Sequence, residues 1–264
     1  MITLNQCTKY FHRGSVNEVL ALNQLSLSIE NGDFITVIGS NGSGKSTLLN
    51  ALAGCFLLDS GSVVIEDRDV SHWPEYKRAK LIARVFQDPL LGTCPSATIV
   101  QNMAIASRRG KRRGLGPGVR SADRDRFYNE LQKIGLGLEK RVQDRVGLLS
   151  GGQRQALTMV MATLVRPEVL LLDEHIAALD PKTANQILHL TQEMVSSQNL
   201  TTLMITHNMK HAIRFGNRLI MLHQGRIILD VKGQEKSSLS VEDLLQQFYR
   251  VQGEELANDS MLLT

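Results

Sequence analysis

Eight consecutive residues, Gly39-Ser40-Asn41-Gly42-Ser43-Gly44-Lys45-Ser46, follow the pattern G-x-x-x-x-G-K-[ST]. In that pattern glycines let backbone N–H groups turn inward around phosphate oxygens. Lys45 is placed to reach β- and γ-phosphates, Ser46 to give its hydroxyl to Mg²⁺, and Thr47 to meet the neighbouring phosphate. A second chemical feature is Asp173-Glu174, which ends the apolar run Val169-Leu170-Leu171-Leu172. A buried strand would deliver both carboxylates to its C-terminal edge beside the phosphate loop. Asp173 would then hold Mg²⁺ through water, and Glu174 would polarise the water that attacks a γ-phosphate. A phosphate loop alone fits a kinase or a switch equally well; the paired acids point to hydrolysis. The third feature is Leu149-Ser150-Gly151-Gly152-Gln153-Arg154-Gln155, whose small residues open a helix with an apolar face of Leu157, Val160, Met161 and Leu164. This is a second anion-binding helix terminus, while one nucleotide's phosphates already have a cradle within the chain. The economical reading is that it completes the site of another copy.

These groups need a frame. Phe34-Ile35-Thr36-Val37-Ile38 reads as a buried strand entering the loop, and Leu48, Leu49 and Leu52 share one face of the helix leaving it. Leu25, Leu27 and Ile29 alternate with Ser26, Ser28 and Glu30, and residues 61–66 read as another strand, which predicts an antiparallel lobe near the nucleotide. Strands at about 82–86, 168–172 and 202–205 are separated by helical stretches, as in a parallel sheet with crossover helices. Residues from about 89 to 165 are mostly helical without a clear strand, which marks an inserted lobe. Ser240-Val241-Glu242-Asp243 has the pattern of a capping box, and Val241, Leu244, Leu245 and Phe248 fall at helical spacing. The expected fold is therefore α/β: a P-loop NTPase core with a mostly parallel sheet, an N-terminal antiparallel β lobe and an inserted α-helical lobe. Residues 1–252 form one domain, closed by a helix over about 240–252 and followed by a polar tail, 253–264.

With 264 residues, 42% of them hydrophobic, the chain can bury a substantial core. There is no apolar run of membrane-spanning length and no signal-peptide pattern at Met1-Ile2-Thr3-Leu4, so a soluble, cytoplasmic protein is expected. Cys7, Cys55 and Cys94 are too scattered for a zinc site or a disulfide framework. The net charge of +4 is uneven, because residues 108–126 carry eight Lys/Arg and two Asp. Gly110, Gly114, Gly116, Pro117 and Gly118 mark this block as an exposed loop, either simply solvated or drawn to an anionic membrane face. Nucleic acid is not an expected partner, since aromatics are absent from the block until Phe127 and Tyr128.

The phosphate loop, the Leu149–Gln153 run, the acidic pair and Thr206-His207 occur in the order and spacing of the ATP-binding-cassette (ABC) ATPases, which nearly the whole chain resembles. The resemblance implies two subunits sandwiching two ATP molecules head to tail, with Ser150 and Gly152, flanked by Gly151 and Gln153, meeting the opposite subunit's γ-phosphate. It implies that Gln87, in Val85-Phe86-Gln87-Asp88-Pro89, senses Mg²⁺ and the attacking water. It further implies that His207 hydrogen-bonds the γ-phosphate and that Asp180 lies in a loop communicating across the dimer. Family members stack adenine on an aromatic near the N-terminus; Phe11 aligns better than Tyr10.

The packaging resembles the separate motor subunit of a bacterial importer: no long coiled coil, no second cassette and no fused membrane helices. That implies a second copy of the chain or a homologous ABC subunit, an integral membrane permease docked at about 88–105, and, indirectly, a substrate-binding protein. The motor would sit peripherally on the inner face of the cell membrane. Asp173-Glu174-His175 and Gly92-Thr93-Cys94-Pro95-Ser96 resemble a subgroup associated with amino-acid uptake. The rival reading is a soluble cassette acting as an ATP-driven dimerisation switch. The chain departs from the family at His175-Ile176, where Pro and then Ser, Thr or Phe are usual; His175 reads as a turn residue, the alternative being a titratable group beside the base that makes hydrolysis pH-sensitive.

Overall fold

In the computed structural model, which describes residues 1–111, 116 and 118–262, two sheets enclose the helix that follows the phosphate loop. The N-terminal sheet is antiparallel in the order β2 (Val19–Ile29), β1 (Ile2–Phe11), β4 (Ser60–Ile65), β5 (Arg68–Asp69). The second sheet runs β10 (Arg226–Lys232), β9 (Arg218–His223), β3 (Phe34–Gly39), β8 (Thr201–Ile205), β7 (Val169–Asp173), β6 (Ile82–Val85). Its neighbours are parallel except β10, which pairs antiparallel with β9. Helix α1 (Lys45–Ala53) lies between the sheets, its Leu48, Leu49 and Leu52 fully buried.

The continuous apolar runs in the sequence arise because the parallel strands are covered on both faces. Along β7, Val169 and Leu171 join the core shared with α1 and the N-terminal sheet. Leu170 and Leu172 point the other way, into a core with Met159, Leu188 and Val195 from α5 (Gly151–Thr163) and α6 (Pro181–Gln198). The inserted lobe, with α3 (Ile99–Ala106) and α4 (Ser121–Gln132), closes on its own core of Met103, Phe127, Leu131, Leu157 and Val160. Helix α5 belongs to both cores, so the lobe and the parallel sheet share one rigid element.

The short α2 (Glu75–Arg78) is fastened by the buried Arg78, whose Nε, Nη1 and Nη2 donate to the carbonyls of Trp73, Ala51, Leu52 and Ser71. The remaining helices are α7 (Met209–Arg214), α8 (Gln234–Ser237) and α9 (Val241–Leu262). The Ser240 cap forms: its hydroxyl accepts from the Asp243 N–H at 3.1 Å, and its own N–H donates to Asp243 at 2.8 Å.

Three features differ from the sequence reading. The β9–β10 hairpin, which that reading omits, supplies a neighbour of β3; it turns on Gln224-Gly225, both at positive φ, in a two-residue turn. Helix α9 continues through Gly253 to Leu262, where a polar tail is expected. The basic block is also only partly a solvated loop. Arg109 donates to the carbonyls of Ala162 (2.8 Å) and Val165, and Arg126 to that of Leu164, so both close the C-terminal end of α5. Arg112 and Arg113 lie outside the described residues.

Candidate functional site

The sheet order converts scattered motifs into one row. The C-terminal edges of β3, β8, β7 and β6 lie side by side, and the segments leaving them carry the phosphate loop, Thr206-His207, Asp173-Glu174 and Phe86-Gln87, respectively. This is where open α/β sheets place ligands.

The loop's geometry requires its glycines. At Gly39 (φ 151°) a Cβ would lie 2.3 Å from the Leu222 carbonyl oxygen, and at Gly44 (φ 101°) 2.5 Å from that of Ala21. The hairpin tip clamps the loop from outside: Gly225 N–H donates to Ser43 O at 2.9 Å, and Gly225 O accepts from Asn23 N–H at 3.0 Å. Sequence reasoning missed this role of Gly225, although a Gln-Gly pair between the apolar runs Leu219–Leu222 and Ile227–Leu229 is a hairpin signal. Within the loop, the buried Ser43 hydroxyl has no hydrogen-bond partner, a polar group awaiting an anion. Lys45, 5% exposed, folds its ammonium back onto the carbonyls of Gly39 (2.9 Å) and Ser40 (2.7 Å). Burial lowers its pKa, and the charges of Glu174 and Asp173 oppose that shift. Asn41, Gly42 and Ser46 are exposed and Thr47 is half-buried.

At the end of β7, Asp173 accepts from Arg84 Nη2 at 2.6 Å. Glu174 follows at φ 46°, a left-handed conformation unusual for a non-glycine residue and of the kind held at functional sites by surrounding structure. Its Oε1 lies 2.6 Å from His207 Nε2, so the proposed base and the residue after β8 are brought together. Gln87 is exposed; the neighbouring Phe86 carbonyl accepts from Gln155 Nε2 at 3.4 Å, which ties this segment to α5.

His175 sides with the turn reading and against the pH-sensitive alternative. Rather than titrating beside the base, it is 2% exposed and turns away, its Nε2 3.1 Å from Thr191 Oγ1. Thr191 Oγ1 itself donates to Ile187 O at 2.8 Å, so the hydroxyl accepts a hydrogen bond from His175 Nε2–H. Burial pushes the imidazole pKa down to about 4.

Ser150 caps α5 in a reciprocal box with Gln153, and Ser150 and Gly151 stand exposed at that terminus. Gly152 is buried, and a Cβ there would lie 2.2 Å from Thr183 Cγ2 of α6, so its smallness has a packing reason as well. Asp180 caps α6, accepting from Thr183 N–H at 3.1 Å; hydrogen bonds from the Thr183 hydroxyl and, next, its N–H hold the carboxyl pKa down. Phe11, half-buried at the end of β1, meets Phe56 edge-on at 5.5 Å between centroids, while Arg13 stacks over the competing Tyr10.

Among the described residues no cluster of three or more His, Cys, Asp and Glu could hold a metal unaided. Ser46, Gln87 and Asp173 are oxygen donors that would suit a different arrangement, in which Mg²⁺ would take its remaining ligands from phosphate and water. The unpartnered Ser43 hydroxyl and the glycine-walled cradle fit the phosphates that arrangement needs.

Comparison with known proteins agrees with this geometry. Residues 22–177 match the family described as ABC transporter. The chain is 45% identical to the tyrosine transport ATP-binding protein of Clostridioides difficile over 94% of its own length and 98% of the relative's. It is 33% identical to a phosphonates import ATP-binding protein of Frankia casuarinae, over 81% of the chain and 85% of that protein. A dimeric ATP-binding cassette solved in a post-hydrolysis state with ADP and phosphate superposes with a TM-score of 0.75 at 29% identity, covering 88% of this chain and 98% of that one. With the phosphate loop, acidic pair and Leu149–Gln153 run on one such frame, the chain belongs to the ABC transporter family and is an ATP-binding cassette ATPase.

Proposed function

We propose that the chain is the ATP-hydrolysing motor of an importer, working as a head-to-tail dimer around two ATP molecules and driving a separate membrane permease. The observation that carries this reading is the row at the sheet edge, in which the phosphate loop, His207, Glu174 and Gln87 leave four adjacent parallel strands. Gly39 to Thr47 cradle the triphosphate, with Lys45 released from its own loop carbonyls to meet it. Ser46, Asp173 and Gln87 would hold Mg²⁺, which when bound would supply charge neutralisation at the phosphoryl group. Glu174 accepts the proton of the attacking water, and His207, already in contact with Glu174, donates to the γ-phosphate side of the site. Phe11 offers its face to adenine.

The exposed Ser150-Gly151 end of α5 completes the second copy's site through Ser150, Gly151, Gly152 and Gln153, and Asp180 carries contact across the dimer. A cleft of about 380 Å³ between core and lobe, lined by Ala83, Arg84, Phe86, Gly92, Ala106 and Met161 among others, takes a segment of the permease. It extends the docking surface expected at 88–105 onto β6 and α5. No helix among the described residues is long and apolar enough to cross a membrane; in this reading the permease is a separate partner and the motor sits peripherally on the inner face. The tyrosine-transport relative supports amino-acid uptake, with aromatic amino acids as the class to test and a substrate-binding protein as the indirect partner.

The test is to purify tagged protein from gently solubilised membranes of the native host and identify its companions by mass spectrometry. Recovery of a polytopic permease is expected. Soluble companions alone, with the cassette absent from membranes, would replace the transport reading with a cytoplasmic dimerisation switch.

A further inference from the structure

Arg84 stands between the docking cleft and the metal-directed acid, and nothing above gives it a task. Its guanidinium bridges three elements: Nη2 donates to Asp173 Oδ2 of β7 at 2.6 Å, Nη1 donates to Asn50 Oδ1 of α1 at 2.6 Å, and Arg84 itself belongs to β6. The ring of Phe86 supports the guanidinium at 4.7 Å, and both residues line the cleft. Arg78 shows what a purely structural arginine looks like in this fold, since its three nitrogens donate to backbone carbonyls. Arg84 differs: its side chain reaches a carboxylate that must serve a cation, and its buried Nε has no acceptor. A guanidinium beside Asp173 competes for the same carboxylate that Mg²⁺ needs and repels the ion by Coulomb's law.

We propose that Arg84 is a positioning residue that restrains Asp173 until Mg²⁺ displaces it, and that Phe86 makes this restraint answer to the permease segment in the cleft. The proposal rests on reading the chain as a Mg²⁺-dependent cassette with a partner in that cleft. An occupant pressing on Phe86 moves the platform under the guanidinium, and the guanidinium loosens or tightens its hold on Asp173. The coupled element is a single side chain with two arrangements, on Asp173 or off it.

The test is a MgCl2 titration of the full chain with a fluorescent ATP analogue, reading bound nucleotide rather than turnover. Arg84→Met is expected to lower the half-saturating Mg²⁺ concentration about tenfold, since one positive charge leaves the ion's neighbourhood. Arg84→Lys, which keeps the charge, stays near wild type. Phe86→Ala shifts the curve in the same direction as Arg84→Met and adds nothing in the Arg84→Met background. Circular dichroism and thermal melting confirm that each variant is folded; Arg84→Gln replaces Arg84→Met if the latter is not. An Arg84→Met curve superimposed on wild type, or shifted to higher Mg²⁺, overturns the restraint. A Phe86→Ala shift that persists without Arg84 overturns the link to the cleft. If wild type itself binds nucleotide with no dependence on Mg²⁺, the functional reading falls and this proposal with it.

Discussion

His175 gives a quantitative prediction because its environment has one dominant cause. It is buried, its Nε2 is satisfied by Thr191, its Nδ1 has no partner, and burial lowers its pKa from 6.5 to about 4. Between those values the unfolded chain binds a proton that the folded chain refuses, so stability rises with pH across the window. The contribution is complete above pH 6.5 and is lost as pH falls towards 4. At 1.36 kcal/mol per unit the full span is worth about 3 kcal/mol, of which about 2 kcal/mol is gone by pH 5. His175→Gln removes the titration while leaving an amide N–H to donate to Thr191. Urea unfolding of both proteins without nucleotide, from pH 7 to pH 5, should show wild type losing about 2 kcal/mol more than the variant. Parallel losses would refute the burial argument. Above pH 7 the imidazole is neutral, so the ATPase pH profiles of the two proteins should coincide from pH 7 to 8.5.

Gly152→Ala should destabilise the junction of α5 and α6 by about 1–3 kcal/mol, since its Cβ would lie 2.2 Å from Thr183 Cγ2. Adding Thr183→Ser should restore the melting temperature; failure to do so would place the clash elsewhere. Arg109→Ser should cost about 1–3 kcal/mol by leaving the Ala162 and Val165 carbonyls uncapped, read as a lower melting temperature. An unchanged melting temperature would return Arg109 to the solvated loop. Gly225→Ala forces a Cβ to 2.8 Å from Ala21 O at φ 74° and should weaken nucleotide binding as well as stability; calorimetric affinity equal to wild type would show that the hairpin does not hold the loop.

Most of the candidate row at the sheet edge was legible because its residues follow apolar runs whose pattern survives burial on both faces, as at Val169–Leu172 and Phe34–Ile38. The sheet order was not legible, since it depends on which strands pair across long separations. The β9–β10 hairpin is masked in the sequence because its strands carry Arg218, His223 and Arg226 at their ends. Arg84 and Arg109 were equally hidden. Their types suggest exposed charge, and only the fold shows that one meets Asp173 while the other caps α5. The pH-sensitive alternative for His175 falls for a related reason: its place beside Glu174 in the sequence says nothing about a turn that sends adjacent side chains to opposite sides.

The central claim, hydrolysis by Glu174 in a site completed by a second copy, is most directly tested by light scattering of purified Glu174→Gln with ATP and Mg²⁺. The account predicts a stable dimer for this variant, a monomer when Ser150→Arg is added, and no turnover in either. A Glu174→Gln protein that stays monomeric at saturating ATP, or hydrolyses ATP at the wild-type rate, would contradict it.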